Sequence, residues 1–182
     1  MIRIREIHPD DAPKLVALME QLDRETDFLL YEEGERPADV ETWRDRIENL
    51  DPLENGTFLV AEWIGLEDGS GEEEPERTPG ELAGYLEVRR MPWVRVRHRA
   101  YLVIGIRKSY AGMGLGTRLM KALETWARRL GIRRLYLTTI GENRAAVGLY
   151  RKMGYEIEGR HPASMCIRGR YVDELTMGKW LD

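Results

Sequence analysis

The amino-acid sequence predicts an α/β domain built around one mixed sheet, with helices packed against the strands. Three observations predict this fold class. Short runs of alternating or wholly apolar residues are typical of strands, and longer stretches with apolar residues three and four apart are typical of amphipathic helices. A strand, a glycine-rich turn, a helix and a second strand follow one another over residues 100–140, which predicts a strand–helix–strand crossover.

The predicted order of elements is βααβββαβαββ, and each element follows from its own pattern. Ile2 and Ile4 alternate with arginines, which predicts a short strand, and Asp10 and Asp11 are expected to cap the helix that follows. The other predicted elements are a helix over 40–50, strands over 57–64, 81–90 and 100–106, a helix over 115–130, a strand over 133–140, a short helix over 143–154, and strands over 155–167 and 170–180. No internal repeat or long linker divides the chain, so residues 1–182 are expected to form one domain.

Residues 66–80 are acidic, rich in glycine and proline, and contain almost nothing to bury. This composition predicts an exposed hairpin tip between two strands. A second interpretation is an acidic patch that attracts cationic substrates, but runs of charge are most often simply solvated.

Composition excludes several classes of protein. The chain has 182 residues, a net charge of −4 and 42% hydrophobic residues, which disfavours a protein that covers nucleic-acid phosphates. No uncharged apolar run approaches the roughly 20 residues of a membrane span, and the first residues lack the apolar core of a signal peptide. Cys166 is the single cysteine, so the cytoplasm is the expected location. The three histidines and Cys166 show no ligand spacing, and no metal is expected.

The glycine-rich turn after the central strand is the most informative segment. Gly112, Gly114 and Gly116 lie between an apolar strand and an amphipathic helix. Unpaired N–H groups at a helix start, together with the positive end of the helix dipole, form a site for a phosphate or pyrophosphate. The spacing matches neither a P-loop nor the Rossmann fingerprint, and a tight turn whose glycines serve packing alone is the alternative.

Residues 110–117, Tyr-Ala-Gly-Met-Gly-Leu-Gly-Thr, resemble the acetyl-coenzyme A signature Q/R-x-x-G-x-G/A of the GCN5-related N-acetyltransferases. Gly114 and Gly116 match the signature, whereas Ala111 stands where the family has Gln or Arg. Residues 143–155 resemble the family segment N-x-x-A-x-x-L-Y-x-K-x-G-F, with Tyr155 in place of Phe. The resemblance covers essentially the whole chain and implies a predominantly antiparallel sheet in which two parallel strands separate into a V-shaped cleft.

The resemblance implies where acetyl-CoA lies. Pantetheine is expected to pair with the backbone of Ile104, Gly105 and Ile106, with the N–H of Ile106 as the donor to the oxyanion. The pyrophosphate is expected on the N–H groups of Gly112, Met113, Gly114, Leu115, Gly116 and Thr117. Asn143 is expected to cap its helix and to contact the coenzyme, although capping alone also accounts for it.

Attack of an amine on a thioester needs a base for the amine and an acid for the departing thiolate. Tyr150 matches the tyrosine that the family places beside the coenzyme sulfur, so it is the predicted acid; packing in the core is the alternative. Glu87 is the predicted base, on a strand where Ala83, Tyr85 and Glu87 are expected to share a face. The alternative for Glu87 is an ion pair with one of the many arginines. Ribosomal-protein alanine acetyltransferases carry their glutamate at the position of Thr138, which weakens any transfer of their substrate.

The predicted function is therefore an acetyl-CoA-dependent N-acetyltransferase that acts on a small amine, an amino acid or a protein N-terminus. The alternative is a non-catalytic domain that binds or senses acyl-CoA. Asp173 and Glu174 are further candidates for orienting the amine. A homodimer is expected only by resemblance to the family.

Overall fold

A computed structural model describes residues 1–65 and 78–182 of the chain. The predicted hairpin tip at 66–80 therefore lies almost entirely outside the described residues. Residues 78–80 form the turn that leads into the third strand, and the Gly80 N–H donates to the Trp63 carbonyl.

The order of the described elements confirms the predicted one. The elements are β1 (Ile2–Glu6), α1 (Ala12–Glu25), α2 (Val40–Glu48), β2 (Gly56–Trp63), β3 (Leu82–Arg90), β4 (Arg99–Ile106), α3 (Leu115–Arg129), β5 (Arg134–Ile140), α4 (Arg144–Lys152), β6 (Glu156–Ile167) and β7 (Arg170–Trp180). Short 3₁₀ turns precede α1 and α3. None of the described helices is long and apolar enough to cross a membrane.

The described strands form one seven-stranded sheet in the order β1-β2-β3-β4-β5-β7-β6. Each neighbouring pair of strands is antiparallel except β4 and β5, which are parallel. The parallel ladder joins three residue pairs and ends at Tyr101 and Tyr136, although β4 continues to Ile106 and β5 to Ile140. The structure thus confirms a predominantly antiparallel sheet that opens between two parallel strands, and we call this opening the fork.

Helices cover both faces of the sheet. On one face α1 and α2 pack Leu15, Met19 and Trp43 against Phe58 and Tyr85. On the other face α3 and α4 pack Leu119 and Tyr150 in a larger cluster with the alternate strand residues, among them Leu86, Leu102 and Leu135. Burial on both faces accounts for the nearly unbroken apolar character of the central strands.

Two local expectations are wrong, each for a physical reason. The Asp11 carboxylate does not cap α1, because it accepts two bonds from the Arg5 guanidinium and one from the His8 N–H. Ala83 does not share a face with Tyr85 and Glu87, because an irregularity in the β2–β3 register falls beside it. Ala83 therefore packs in the cluster under α3, while Tyr85 packs under α1.

Gly105 tests how tightly α1 is packed on the sheet. A Cβ at this position would lie 2.7 Å from Leu22 Cδ1 and 2.9 Å from Tyr85 Cε1, and both side chains are buried. We expect Gly105→Ala to lower the free energy of unfolding by about 1–3 kcal/mol, measured by equilibrium urea denaturation.

Gly148→Ala is the matched control, because a Cβ on this α4 residue would meet no atom within 4 Å. It is expected to raise the stability by about 0.5–1 kcal/mol through the better helix propensity of alanine. Equal stability of Gly105→Ala and the wild type would contradict the packing described here.

Candidate active site

The fork leaves backbone hydrogen-bonding groups of β4 without a neighbouring strand. The Arg107 N–H donates to Ala83 in β3, whereas the His98 carbonyl accepts from Arg134 in β5. Because successive residues of a strand direct their backbone groups to alternate sides, Gly105 pairs with β3 while Ile104 and Ile106 direct theirs toward β5. Beyond Tyr101 these groups face the open fork, so an extended ligand can bind there as an added strand.

The glycine-rich turn at the open end of the fork presents a run of N–H groups. Gly112 and Gly114 have φ values of +77° and +73°, the left-handed region that favours glycine, and a Cβ on either would meet no atom within 4 Å. Gly114 is the N-cap of α3, and the N–H groups from Gly112 to Thr117 find no acceptor among the described residues. The turn therefore offers an open, electropositive concavity for an anion.

Gly116 is glycine for a different reason. It lies inside α3, and a Cβ there would be 2.7 Å from Leu149 Cδ2 in α4 and 3.4 Å from Ile106 Cδ1. The absence of a side chain lets α4 approach the start of α3, which brings Tyr150 to the fork. The three glycines thus serve two functions, an open N–H turn and a close helix contact.

A cleft of about 950 Å³ joins the turn, the fork and the space under α1 and α2. It is lined by all but one of the residues predicted for coenzyme binding and for the acid and base roles: Glu87, Ile104, Gly105, Ile106, Gly112, Gly114, Leu115, Gly116, Thr117, Asn143 and Tyr150. The exception is Met113, whose side chain is exposed to solvent. One continuous cleft therefore runs through the sheet from one face to the other.

Tyr150 and Asn143 lie on the α4 side of the cleft. Tyr150 is 5% exposed, and its hydroxyl has no hydrogen-bond partner among the described residues. Burial, and secondarily the nearby Tyr101, raises the pKa of this hydroxyl above its ordinary value, so it stays protonated at neutral pH. The Asn143 side-chain oxygen accepts from the Ala146 N–H at 3.2 Å, which confirms the helix cap, and the residue also lines the cleft.

Glu87 lies on the opposite side of the sheet, between two arginines. The Arg89 Nε and Nη2 donate to it at 2.7 and 3.0 Å, and Arg46 Nη2 donates to it from α2 at 2.6 Å. These bonds to Glu87 raise the pKa of the Arg89 guanidinium. The glutamate thus lines the cleft, as predicted. It is also paired with arginines, which was the alternative interpretation.

Comparison with known proteins identifies the family. Residues 17–155 match the model of the acetyltransferase (GNAT) family, which is more than half of the chain. The chain belongs to the GNAT family. The curated spermidine N(1)-acetyltransferase of Escherichia coli K12 is 35% identical over 102 residues, which are 54% of this chain and 52% of that protein. The chain therefore spans about half the length of this curated relative.

Solved structures share the entire fold. An acetyltransferase of the GNAT family from Streptococcus pneumoniae is 32% identical, with a TM-score of 0.81 and complete coverage of both chains. The yncA protein of Salmonella typhimurium, whose structure contains its cofactor acetyl-CoA, has a TM-score of 0.80 and 20% identity over 100% of this chain and 95% of that one. GNAT neighbours have thus been solved with acetyl-CoA, and at this identity the second likeness supports the fold alone.

The structure brings further residues to this GNAT cleft that the sequence patterns did not single out. Tyr101 stands where the fork opens, and its hydroxyl is 3.0 Å from Thr138 Oγ1 across the gap. Arg89 follows Glu87 by two residues, which places both on one face of β3. That spacing was available in the sequence, whereas the Tyr101–Thr138 contact depends on the β4–β5 register. Of the two acidic residues that the sequence analysis named for orienting the amine, Glu174 lines the cleft, whereas Asp173 does not and accepts from Arg160 Nε at 2.6 Å. The described residues contain no cluster of His, Cys, Asp and Glu suited to a metal ion.

Gly114→Val tests the anion turn. A valine at φ +73° costs about 1–2 kcal/mol unless the backbone shifts, and a shift misdirects the N–H groups. We expect acetyl-CoA to bind about 5- to 30-fold more weakly, measured by isothermal titration calorimetry.

Gly131→Val is the control, because Gly131 has a φ of +68° and equally open surroundings at the other end of α3. It carries a similar backbone strain far from the turn and should leave the affinity unchanged. Wild-type affinity in Gly114→Val would contradict the assignment of the turn to the pyrophosphate.

Proposed function

We propose that residues 1–182 form one N-acetyltransferase domain that moves the acetyl group of acetyl-CoA directly to a primary amine. The single observation that carries this proposal is the continuous cleft, which connects the N–H turn to the opposite face of the sheet through the fork. A carrier with a diphosphate at one end and an acyl group at the other fits this shape. Its diphosphate binds at the turn and its pantetheine follows the β4 edge.

The backbone of β4 holds the reactive end of the coenzyme. The N–H groups of Ile104 and Ile106 point into the fork and are the donors available to the thioester carbonyl. Negative charge develops on this oxygen during attack, and fixed N–H donors stabilise it without reorganising. No special side chain is needed for this step, which agrees with the apolar side chains of the strand.

Tyr150 is the proposed acid for the departing thiolate. It is buried on the coenzyme side, its pKa is raised, and its hydroxyl has no competing partner among the described residues. A protonated hydroxyl beside the sulfur donates a hydrogen bond or a proton as the carbon–sulfur bond breaks. The amine loses one proton to its base while Tyr150 gives one to the sulfur, so the reaction balances, and proton exchange with solvent restores both groups.

Glu87 is the proposed base on the acceptor side, either directly or through a water molecule. A carboxylate has about four lone-pair positions, and guanidinium N–H groups occupy three of those on Glu87. One position is left for the proton of an amine or a water molecule. Because Glu87 and Tyr150 lie on opposite faces of the sheet, the amine and the sulfur are served by different groups.

The names of curated relatives support a small amine, an amino acid or a protein N-terminus as the acceptor. The E. coli relative is named for spermidine, which is a polyamine. A homodimer and a cytoplasmic location stay predictions from the sequence.

An acetylation assay over a panel of amines separates the enzyme from the sensing domain. The panel contains a polyamine, free amino acids and a peptide with a free N-terminus, and mass spectrometry detects the products. We expect at least one acetylated product, with release of one free thiol for each product formed. Tight acetyl-CoA binding without product or thiol release would favour the sensing domain instead.

Tyr150→Phe is expected to lower kcat by about 100-fold with the best acceptor while changing the KM for acetyl-CoA little, because the hydroxyl acts on the departing sulfur. Tyr155→Phe is the matched control. The Tyr155 ring lies 6.1 Å from the Tyr150 ring, and its hydroxyl is buried without a partner in the described part of the chain. Tyr155→Phe should retain the wild-type kcat; an equal loss in both variants would show a packing effect and remove the acid assignment.

A further inference from the structure

We propose that the acceptor is an α-amino acid with an apolar side chain, and that the Arg89 guanidinium binds its α-carboxylate. This inference rests on the proposed N-acetyltransferase function and names the acceptor class of the same cleft. Its structural basis is the Arg46–Glu87–Arg89 cluster, in which two guanidinium groups share one carboxylate. The cluster therefore carries one positive charge in excess.

Arg89 is the member of the cluster that presents this charge to the cleft. Its Nε and Nη2 are bonded to Glu87, whereas Nη1 has no acceptor among the described residues, and its side chain is 52% exposed. Arg46 lines only a second, smaller cavity of about 340 Å³, which Glu87 and Arg89 also line, and its guanidinium stacks over Trp43 at 4.7 Å. Arg46 thus contacts Glu87 from outside the cleft, whereas Arg89 lines the cleft and keeps Nη1 without an acceptor among the described residues.

The other cations of the described cleft wall are less suited to this role. Arg36 donates to both oxygens of the buried Asp23 at 2.6 and 2.8 Å, so its charge is neutralised. Lys108 lies at the exposed start of the turn, at the phosphate end of the cleft. Of these three cations, Arg89 is therefore the one that lies on the acceptor side and belongs to a cluster with an excess of positive charge.

The register places Arg89 close to the reacting atoms. Arg89 pairs with Tyr101, the last β4 residue that is joined to β5, and Glu87 pairs with Val103 inside the fork. The diphosphate binds at the opposite, open end, so the acyl end of the carrier points toward the closed end at Tyr101. Glu87 and Arg89 consequently flank the acyl end on the face that α1 and α2 cover.

Neighbouring opposite charges match the acceptor that we propose. An α-amino acid carries its amine and its carboxylate on one carbon, so the carboxylate can bind Arg89 while the amine faces Glu87. An arginine can bind a carboxylate through two N–H groups, which fixes the direction of the amine. A polyamine would instead bring one of its positive charges against Arg89. The α1–α2 loop adds Phe28, Leu29, Leu30 and Tyr31 to the wall, a surface suited to an apolar side chain.

The test compares acceptors that differ only in the carboxylate. The kcat/KM of leucine, methionine and phenylalanine is measured beside that of their amides and of 3-methylbutylamine, 3-(methylthio)propylamine and 2-phenylethylamine, with spermidine as a separate acceptor. We expect the wild type to favour each amino acid over its amide and its amine by about 10- to 100-fold, the effect of one charge-assisted hydrogen-bonded pair. Arg89→Gln is expected to bring these ratios close to one.

Arg46→Lys is the matched control, since it keeps the positive charge of the cluster while changing a side chain that does not line the cleft, and it should preserve the ratios. Acetyl-CoA affinity and thermal unfolding are measured for both variants, so that a folding defect is recognised as such. Equal use of amines and amino acids by the wild type, or unchanged ratios in Arg89→Gln, would overturn the inference. Acetylation of spermidine or of carboxylate-free amines alone would overturn it and leave the N-acetyltransferase function standing, whereas no acetylation of any acceptor would remove that function as well.

Discussion

The separation of β4 from β5 after Tyr101 and Tyr136 is the constraint on which the site depends. A strand inside a sheet normally satisfies its N–H and C=O groups on both sides, and groups that are buried without a partner are costly. Here the free edge faces a cleft instead of another strand. The fold thus keeps a strand-shaped binding edge in the middle of a sheet, where both flanks are rigid.

Successive side chains of a strand point to opposite faces of the sheet, so the candidate catalytic residues are divided between the two faces. Along β4, Ile104 and Ile106 direct their side chains into the core under α3 and α4, while Tyr101 and Val103 face the α1–α2 side. The proposed acid, Tyr150, therefore lies on one face of the sheet, and the proposed base, Glu87, lies on the other. The fork is the passage between them. A thioester lying in it is accessible to an amine from one face while its sulfur is accessible to an acid from the other.

Local patterns in the sequence were sufficient to predict most of this arrangement. Apolar periodicity predicted the strands and helices, and the two motifs at 110–117 and 143–155 predicted the turn, the cap at Asn143 and the position of Tyr150. The errors arose where contacts between different elements decide the outcome. The Asp11 carboxylate pairs with Arg5 because β1 lies beside the start of α1, and Ala83 changes face because of a register irregularity opposite β2. No local pattern encodes either contact.

Glu87 shows the same limit at the site itself. Its position on a strand predicted that it lines a cleft, but its partners depend on α2, whose Arg46 is 41 residues away in the sequence. A carboxylate with a 7% exposed side chain is costly to bury alone, and the two guanidinium groups offset that cost. The two guanidinium groups carry one positive charge more than Glu87 neutralises. The cluster therefore differs from the one-to-one ion pair of Asp23 and Arg36. Arg89 also lines the cleft beside the fork, so the excess charge of the cluster lies where a ligand can reach it.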